Sequence, residues 1–315
     1  MNNKLFSDNF PIISTAKDLD ELCKKYPDYD RGYVCQGSGA GYDSRRTWMQ
    51  ELWEEFEPYA DNHFLGGFKR DFSGRSWELY LGVTFLRRGY SLDRIGNKGP
   101  DLKVIKDGFY TYIEAVSSTP GSGPDQVPDL LEKTVGNVPE DEMQLRVANS
   151  LSYKKLVYDR YLAEGIIKKE DPFIIAINRS AAGLIGDPFI PLIIKCLFGV
   201  GHPTLQIPIG NTPRKRKPKS SWSGRPILTK KSGSNVPMLF FEDSANAGIS
   251  AIIYSTDNIL NSPKISDQMG ENICIIHNPK AANPTPEKFF IFGEERRVLG
   301  EDLHIVRKAR KWDKY

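Results

Sequence analysis

Three acidic residues stand at positions that indicate a shared hard metal ion. Glu78 lies in the apolar run SWELYL, Asp101 follows a Gly-Pro pair, and Glu114 lies within YIEAV. A charge inside an apolar strand is costly unless it is paired or metal-bound. Oxygen ligands alone select Mg²⁺ or Mn²⁺. Such an ion polarises a phosphodiester and lowers the pKa of a bound water, so the pattern favours phosphodiester chemistry.

The elements that must position these carboxylates are predicted from hydrophobic spacing. A stripe of Trp77, Leu81 and Phe85 predicts a helix over residues 76–88, which Gly89 ends. Short strands are predicted over residues 90–95, 101–105 and 109–117, with a hairpin turn at 106–108. Two adjacent antiparallel strands would bring Asp101 and Glu114 side by side, and a helix packed over them would add Glu78.

A long helix over residues 140–167 and a buried strand over residues 172–177 continue the pattern. The resulting order of helix, three strands, helix and strand predicts an α/β fold. The stretches SWELYLGVTFLRRGYSL, GPDLKVI and YIEAVSS resemble the PD-(D/E)xK nuclease superfamily, over about residues 72–179. The resemblance implies a restriction-endonuclease-like αβββαβ core with a mixed sheet flanked by helices. It also implies that Asp101 and Glu114 hold Mg²⁺ or Mn²⁺ and that Glu78 assists.

The sequence departs from the family at one position. The family's lysine is expected two residues after Glu114, and this chain has Val116 there. That lysine orients or deprotonates the attacking water, or stabilises the charged transition state. Two explanations stay open, because the lysine could come from elsewhere in the fold or the site could be a degenerate binder.

The helix that follows the third strand offers a replacement. Lys154 is the predicted catalytic cation, with Arg146 as a phosphate contact, because residues four apart share a face of the helix; Gln144 and Ser150 lie on that face too. Lys103 is the second choice, since strand alternation places it on the face of Asp101, and Lys98 is the third. The alternative is that Arg146 and Lys154 are surface residues of a charged helix.

Each carboxylate also has a simpler interpretation. Glu78 could be a solvated carboxylate on the surface of its helix, and Asp101 could merely begin a strand after a turn. Glu114 is harder to explain without a partner, unless its strand lies at the edge of the sheet. The ordered set of three acids in matching element types favours a site.

The rest of the chain is predicted to surround this core. Residues 1–70 form an N-terminal helical and loop segment, with an amphipathic helix over 46–60 and a glycine-rich connector over 36–44. The core covers 71–185, a basic Pro/Gly-rich insertion covers 186–236, and residues 237–315 hold extra strands and a basic tail. Those strands are predicted over the following apolar runs: 238–241, 249–254, 272–277 and 289–292.

The insertion carries the run PRKRKPK, which predicts contacts with a nucleic-acid backbone. The predicted contacts are Arg214, Lys215, Arg216, Lys217 and Lys219. Clustered cations bind phosphates in a salt-dependent way, and Trp222 follows shortly after, as aromatic-basic mixtures do in nucleic-acid binders. A disordered solvated loop is the alternative for such a composition.

Composition narrows the class of protein. The chain has 315 residues, 39% hydrophobic and 26% charged, with a net charge of +3. No apolar window approaches the roughly 18 residues of a membrane span, and no secretory signal is visible, so we expect a cytoplasmic protein without a membrane partner. Four cysteines without a CxxC pair and four dispersed histidines argue against a zinc site.

These observations lead to one expected function and two rivals. The expectation is a divalent-metal phosphodiesterase that acts on nucleic acid, DNA rather than RNA, as an endonuclease. A catalytically degenerate nuclease fold that binds nucleic acid or protein is the first rival, and Val116 favours it. An enzyme unrelated to nucleic acid is the second. A dimer is compatible with the sequence, which does not determine the oligomeric state.

Overall fold

The fold is a mixed α/β structure built on an eight-stranded sheet. The computed structural model describes residues 4–94, 96–128, 137–183, 190–206 and 219–311. Within these ranges the α-helices are α1 (Ala16–Lys25), α2 (Arg31–Ser38), α3 (Asp43–Phe56), α4 (Phe64–Arg70), α5 (Phe72–Arg87), α6 (Glu140–Ala163) and α7 (Leu192–Phe198). The strands are β1 (Ser91–Asp93), β2 (Leu102–Lys106), β3 (Phe109–Ser117), β4 (Phe173–Asn178), β5 (Val200–Gln206), β6 (Lys219–Gly224), β7 (Ile227–Thr229), β8 (Asn235–Pro237), β9 (Ile249–Ser255), β10 (Cys274–His277), β11 (Glu294–Leu299) and β12 (Asp302–Arg307).

The main sheet has the strand order β1-β2-β3-β4-β9-β10-β11-β12. Strands β1, β2 and β3 form an antiparallel meander, and β3, β4 and β9 run parallel. The parallel crossover from β3 to β4 contains α6, as parallel neighbours require a long connection. Strand β3 therefore lies inside the sheet, between β2 and β4, and the edge-strand explanation for Glu114 does not apply.

Two hydrophobic cores cover the two faces of the sheet. One core joins α3, α4 and α5 to the sheet face that carries Ile113 and Ala115 of β3. The other joins α6 and α7 to the opposite face, which carries Tyr112 and Val116. Successive side chains of a strand point to opposite faces, so Glu114 lies on the α6 side with Val116.

Several predicted elements are confirmed close to their predicted bounds. Helix α5 and strand β3 lie where the spacing indicated, and Gly89 follows α5 with a φ of 79°. Asp107 and Gly108 both have positive φ, at 52° and 78°, in the hairpin between β2 and β3. Positive φ at both central residues is the requirement of a tight type I′ hairpin, for which Asp-Gly is a favoured pair.

The glycine-rich connector predicted over residues 36–44 is wrong at both ends, since residues 36–38 belong to α2 and residues 43–44 belong to α3. Gln36, Gly37 and Ser38 form the last turn of α2, where the Ser38 hydroxyl donates to the Val34 carbonyl at 2.6 Å. The helix packs Tyr33 into the core on the α5 side of the sheet. Tertiary burial thus overrides the weak helix propensity of glycine.

Two of the predicted C-terminal strands are also wrong. Residues 238–241 and 289–292 do not form strands, although most of their side chains are buried: Met238, Phe241, Phe289, Phe290 and Phe292. Phe289 and Phe292 instead pack their rings against Tyr90, with centroids 5.5 and 6.1 Å away. An apolar run marks burial, and burial alone does not distinguish a strand from an irregular core segment. The sheet is completed by β11 and β12, whose polar sequences had not indicated strands.

The predicted insertion contains ordered structure. Helix α7 is followed by β5 and β6, which pair as a separate two-stranded ribbon, and by the small β7–β8 hairpin. The predicted contacts Arg214, Lys215, Arg216 and Lys217 lie outside the residues that the structure describes. Across the described ranges, no helix combines the length and the apolar content needed to cross a bilayer.

Candidate metal centre

Asp101 and Glu114 meet at the point where β2 begins opposite the second half of β3. The register pairs Leu102 with Ile113, so one step further along the ladder lies Asp101 beside Glu114. The Asp101 Oδ2 accepts a hydrogen bond from the Ala115 backbone N–H at 2.7 Å. This bond fixes the Asp101 side chain against β3, next to the carboxylate of Glu114.

Glu114 is 5% exposed and has partners for both carboxylate oxygens. The Lys154 ammonium donates to Oε1 at 2.7 Å. The Tyr161 hydroxyl lies 3.2 Å from Oε2 and 3.0 Å from the carbonyl oxygen of Gly99. Lys154 and Tyr161 are seven residues apart on α6, two helical turns, and therefore reach the same carboxylate from one face.

Glu78 approaches from the other layer of the fold, on α5. It is 4% exposed, and its Oε2 accepts from the Arg75 guanidinium at 2.7 Å. Arg75 also donates to Asp61 Oδ2 at 2.8 Å. Arg75 and Glu78 are three residues apart, a spacing at which helical side chains are neighbours. The solvated-surface interpretation of Glu78 is excluded by its burial.

Burial and mutual repulsion disturb the ionisation of all three carboxylates. Burial, followed by the charge of Asp101, raises the pKa of Glu78 well above its usual value and that of Glu114 to about 7. Burial also raises the pKa of Asp101, although Lys154 and the Ala115 N–H oppose it. Burial alone would lower the pKa of Lys154, but Glu114 and Asp101 outweigh it and raise that pKa.

The cluster holds more negative than positive charge. Four carboxylates face two cations within it, namely Asp61, Glu78, Asp101 and Glu114 against Arg75 and Lys154. With all groups ionised, the formal excess is two negative charges, which one divalent cation would balance. No group of three His, Cys, Asp or Glu side chains in the described part of the chain is arranged as a ready-made metal site. Carboxylate oxygens are donors of the type that a hard divalent ion takes, and in this structure several of them are engaged by Arg75, Lys154 and Tyr161.

Of the three lysines predicted as candidates, Lys154 is the one that the structure shows in contact with Glu114. Val116 lies on the same face of β3 as Glu114 and packs half-buried against the α6 core. Lys154 is 9% exposed, so the surface-residue interpretation does not hold for it. Lys103 pairs instead with Asp93 at 2.9 Å, and Lys98 is exposed.

The other residues predicted on this helix have hydrogen-bond partners other than Glu78, Asp101 and Glu114. Arg146 donates to the Thr119 carbonyl at 3.1 Å, which holds the loop after β3. The Gln144 amide donates to Glu140 at 3.2 Å, and the Ser150 and Ser118 hydroxyls lie 2.8 Å apart. The bonds of Arg146 and Ser150 tie α6 to the loop after β3, and a phosphate contact by Arg146 stays a prediction. Lys219 is the first residue of β6, in the ribbon.

Sequence reasoning missed three members of the cluster. Arg75 was detectable as a cation three residues before Glu78, although the predicted helix began one residue after it and α5 begins at Phe72. Tyr161 was detectable as a polar group two turns after Lys154. Asp61 had no local signal, because it precedes α4 and joins the cluster only through Arg75. Comparison of the chain with protein-family models, curated proteins and solved structures gives no match.

Proposed function

We propose that this chain is a divalent-metal-dependent nuclease that hydrolyses phosphodiester bonds of DNA, with carboxylates arranged as in the PD-(D/E)xK superfamily. The observation that carries the proposal is the Lys154 ammonium, 2.7 Å from Glu114 in a buried acidic cluster. It stands where the missing lysine two residues after Glu114 would be needed. The order of α5, three strands, α6 and β4 supports a restriction-endonuclease-like core.

Each residue of the cluster has a distinct proposed role. Asp101 and Glu114 would hold Mg²⁺ or Mn²⁺, with Glu78 completing the shell directly or through water. The bound ion would supply Lewis acidity and a lower pKa for its water. Lys154 orients the attacking water or stabilises the charge that develops on the phosphate. Arg75 holds Glu78 in place.

A second candidate function has its own supporting observation. Both oxygens of Glu114 and one of Glu78 already have partners from the chain itself. A cluster that is partly neutralised by Lys154 and Arg75 can persist without a metal ion. This favours a catalytically degenerate nuclease fold that binds nucleic acid or protein.

A cleavage assay separates the two functions. Supercoiled plasmid DNA is incubated with the full chain and Mn²⁺ or Mg²⁺, beside Asp101→Asn and Lys154→Met. Lys103→Met is the matched control, since Lys103 is a nearby lysine that pairs with Asp93 instead of the cluster. We expect cleavage by the wild type and the control, and a loss of about 100-fold or more in the two site variants. Binding without cleavage in every protein would support the degenerate fold.

The lysine assignment has a sharper test by relocation. In the background of Lys154→Met, the substitution Val116→Lys returns an ammonium to the strand position of the family motif. We expect this double variant to recover part of the lost cleavage, because position 116 lies on the same face of β3 as Glu114, the face that α6 and Lys154 cover. No recovery in a folded double variant that still binds Mn²⁺ would count against a catalytic lysine at this place.

A further inference from the structure

One segment of this chain carries Lys and Arg residues without any acidic residue. Residues 188–241, called the basic segment below, contain nine Lys and Arg and no Asp or Glu. The chain as a whole has 43 Lys and Arg against 40 Asp and Glu, which leaves 34 against 40 outside the segment. The rest of the protein is therefore net negative in sum, and the basic segment is a long stretch of the chain that attracts an anionic partner without acidic residues to oppose it.

Three of the nine cations are already neutralised within the fold. Consecutive acids in the first turn of α6 each bind one of them, in the following ion pairs: Lys195 with Glu140 at 2.5 Å, Arg225 with Asp141 at 2.6 Å, and Lys231 with Glu142 at 3.0 Å. These pairs fasten the basic segment to the helix that also carries Lys154. Five other cations of the segment fall between Arg214 and Lys219 in the sequence, where residues 214–217 lie outside the residues that the structure describes.

The ribbon of β5 and β6 presents an exposed apolar face. Pro203 pairs with Trp222 and Leu205 with Ser220, so Pro203, Leu205 and Trp222 share one face, called the ribbon face below. Leu205 is 62% exposed and Trp222 is 42% exposed. The opposite face is polar, with the Thr204 and Ser221 hydroxyls 2.7 Å apart. An isolated two-stranded ribbon is at best marginally stable in water, so a partner would stabilise it.

We propose that the ribbon face binds unpaired nucleotides, and, resting on the proposed nuclease function, that the substrate contains single-stranded or branched DNA. The composition of the basic segment, nine Lys and Arg with no Asp or Glu, matches a phosphate backbone. The exposed indole of Trp222 matches a base that is free to stack. In a duplex, the flat faces of the bases are covered by their neighbours, and only their edges reach the grooves. An apolar face with an aromatic ring therefore fits unpaired bases.

The test measures binding without cleavage. The full chain is titrated in EDTA into fluorescein-labelled 20-nucleotide single strands and into the matching duplex, with anisotropy as the readout. We expect tighter binding to the single strand. Trp222→Ala should weaken that binding about tenfold or more, with less than about threefold effect on the duplex, because stacking contributes only where bases are free. Trp222→Phe should keep most of the affinity.

Leu299→Ala is the matched control, since Leu299 is a 54% exposed apolar residue of β11 outside the basic segment. It should bind like the wild type. Equal losses on single strand and duplex in Trp222→Ala would overturn the proposal, as would wild-type binding that does not favour the single strand. Trp222-dependent binding to anionic phosphatidylserine vesicles with none to DNA would also overturn it and indicate a lipid surface.

The outcomes keep this proposal distinct from the proposed function. Binding is measured in EDTA, so its outcome does not depend on metal-dependent cleavage. Trp222-dependent binding with no cleavage under Mn²⁺ would refute the nuclease proposal and leave the ribbon face as a binding surface. Cleavage of DNA with no role for Trp222 would refute the ribbon proposal and leave the nuclease.

Discussion

Removing the ammonium of Lys154 should destabilise the protein in a pH-dependent way. Lys154→Met keeps the unbranched side chain but leaves Glu114 buried without its 2.7 Å partner. Removing one member of a buried ion pair costs about 3–5 kcal/mol when the other stays charged. Glu114 escapes part of this cost by taking up a proton, since its pKa already lies at about 7. The loss of unfolding free energy in Lys154→Met, relative to the wild type, should therefore be small at pH 6 and large at pH 9.

The sign follows from proton linkage. A carboxyl whose pKa is raised in the folded state binds more protons there than in the unfolded state, so stability falls as pH rises above the unfolded value of 4.5. This fall of stability with pH ends once the pH exceeds the pKa of the carboxyl in the folded state. In Lys154→Met the folded pKa of Glu114 rises further, which extends the loss above pH 7. The difference from wild type should grow by about 1.4 kcal/mol per pH unit over that added range.

Urea denaturation at pH 6, 7, 8 and 9 measures this effect. Glu114→Gln combined with Lys154→Met should recover most of the stability, because neither charge is then buried alone. Lys155→Met is the control, since Lys155 pairs with the half-exposed Asp159 on the same helix, and it should lose less than about 1 kcal/mol. A Lys154→Met variant that loses no more than this control at pH 9, or whose loss is independent of pH, would refute the reasoning.

Further predictions concern the same cluster. Binding of Mn²⁺ should displace a proton from Glu114, whose pKa is about 7, so the apparent Kd measured by titration calorimetry should weaken about tenfold per pH unit below 7; a flat profile would contradict this. Arg75→Met leaves Glu78 and Asp61 without their shared partner and should lower the free energy of unfolding at pH 8 by about 3 kcal/mol. Arg75→Lys should lose less unfolding free energy than Arg75→Met, because it keeps the positive charge. Equal losses in the two variants would show that this charge is unimportant. Tyr161→Phe removes only a hydroxyl and should cost about 1 kcal/mol in urea denaturation, and no change would mean that its bonds to Glu114 and Gly99 contribute nothing.

Local patterns were sufficient for the elements that carry the acidic residues. The stripe along α5, the alternation in β3 and the Asp107-Gly108 turn each depend on neighbours within a few residues. Hairpin register then follows from turn geometry, and it brings Asp101 beside Glu114. The placement of Asp101 beside Glu114 could therefore be predicted from the sequence.

Other features depend on contacts between distant parts of the chain. Residues 289–292 satisfy an apolar pattern as well as a strand does, yet Phe289 and Phe292 fill the aromatic cluster around Tyr90. Strands β11 and β12 carry mostly polar residues and become strands by pairing at the edge of the sheet. Spacing within a segment cannot distinguish these cases, because pairing partners lie elsewhere in the chain.

The sequence by itself determined the helix, the hairpin and the three carboxylates, because each is set by short-range periodicity and turn chemistry. Only the tertiary structure determined which lysine contacts these carboxylates. Lys103 and Lys154 were both candidates, and the crossover from β3 to β4 lays α6 over the face of Glu114 while Lys103 turns to Asp93. Packing of a helix on a sheet brings together residues 40 positions apart, a proximity that no local pattern encodes.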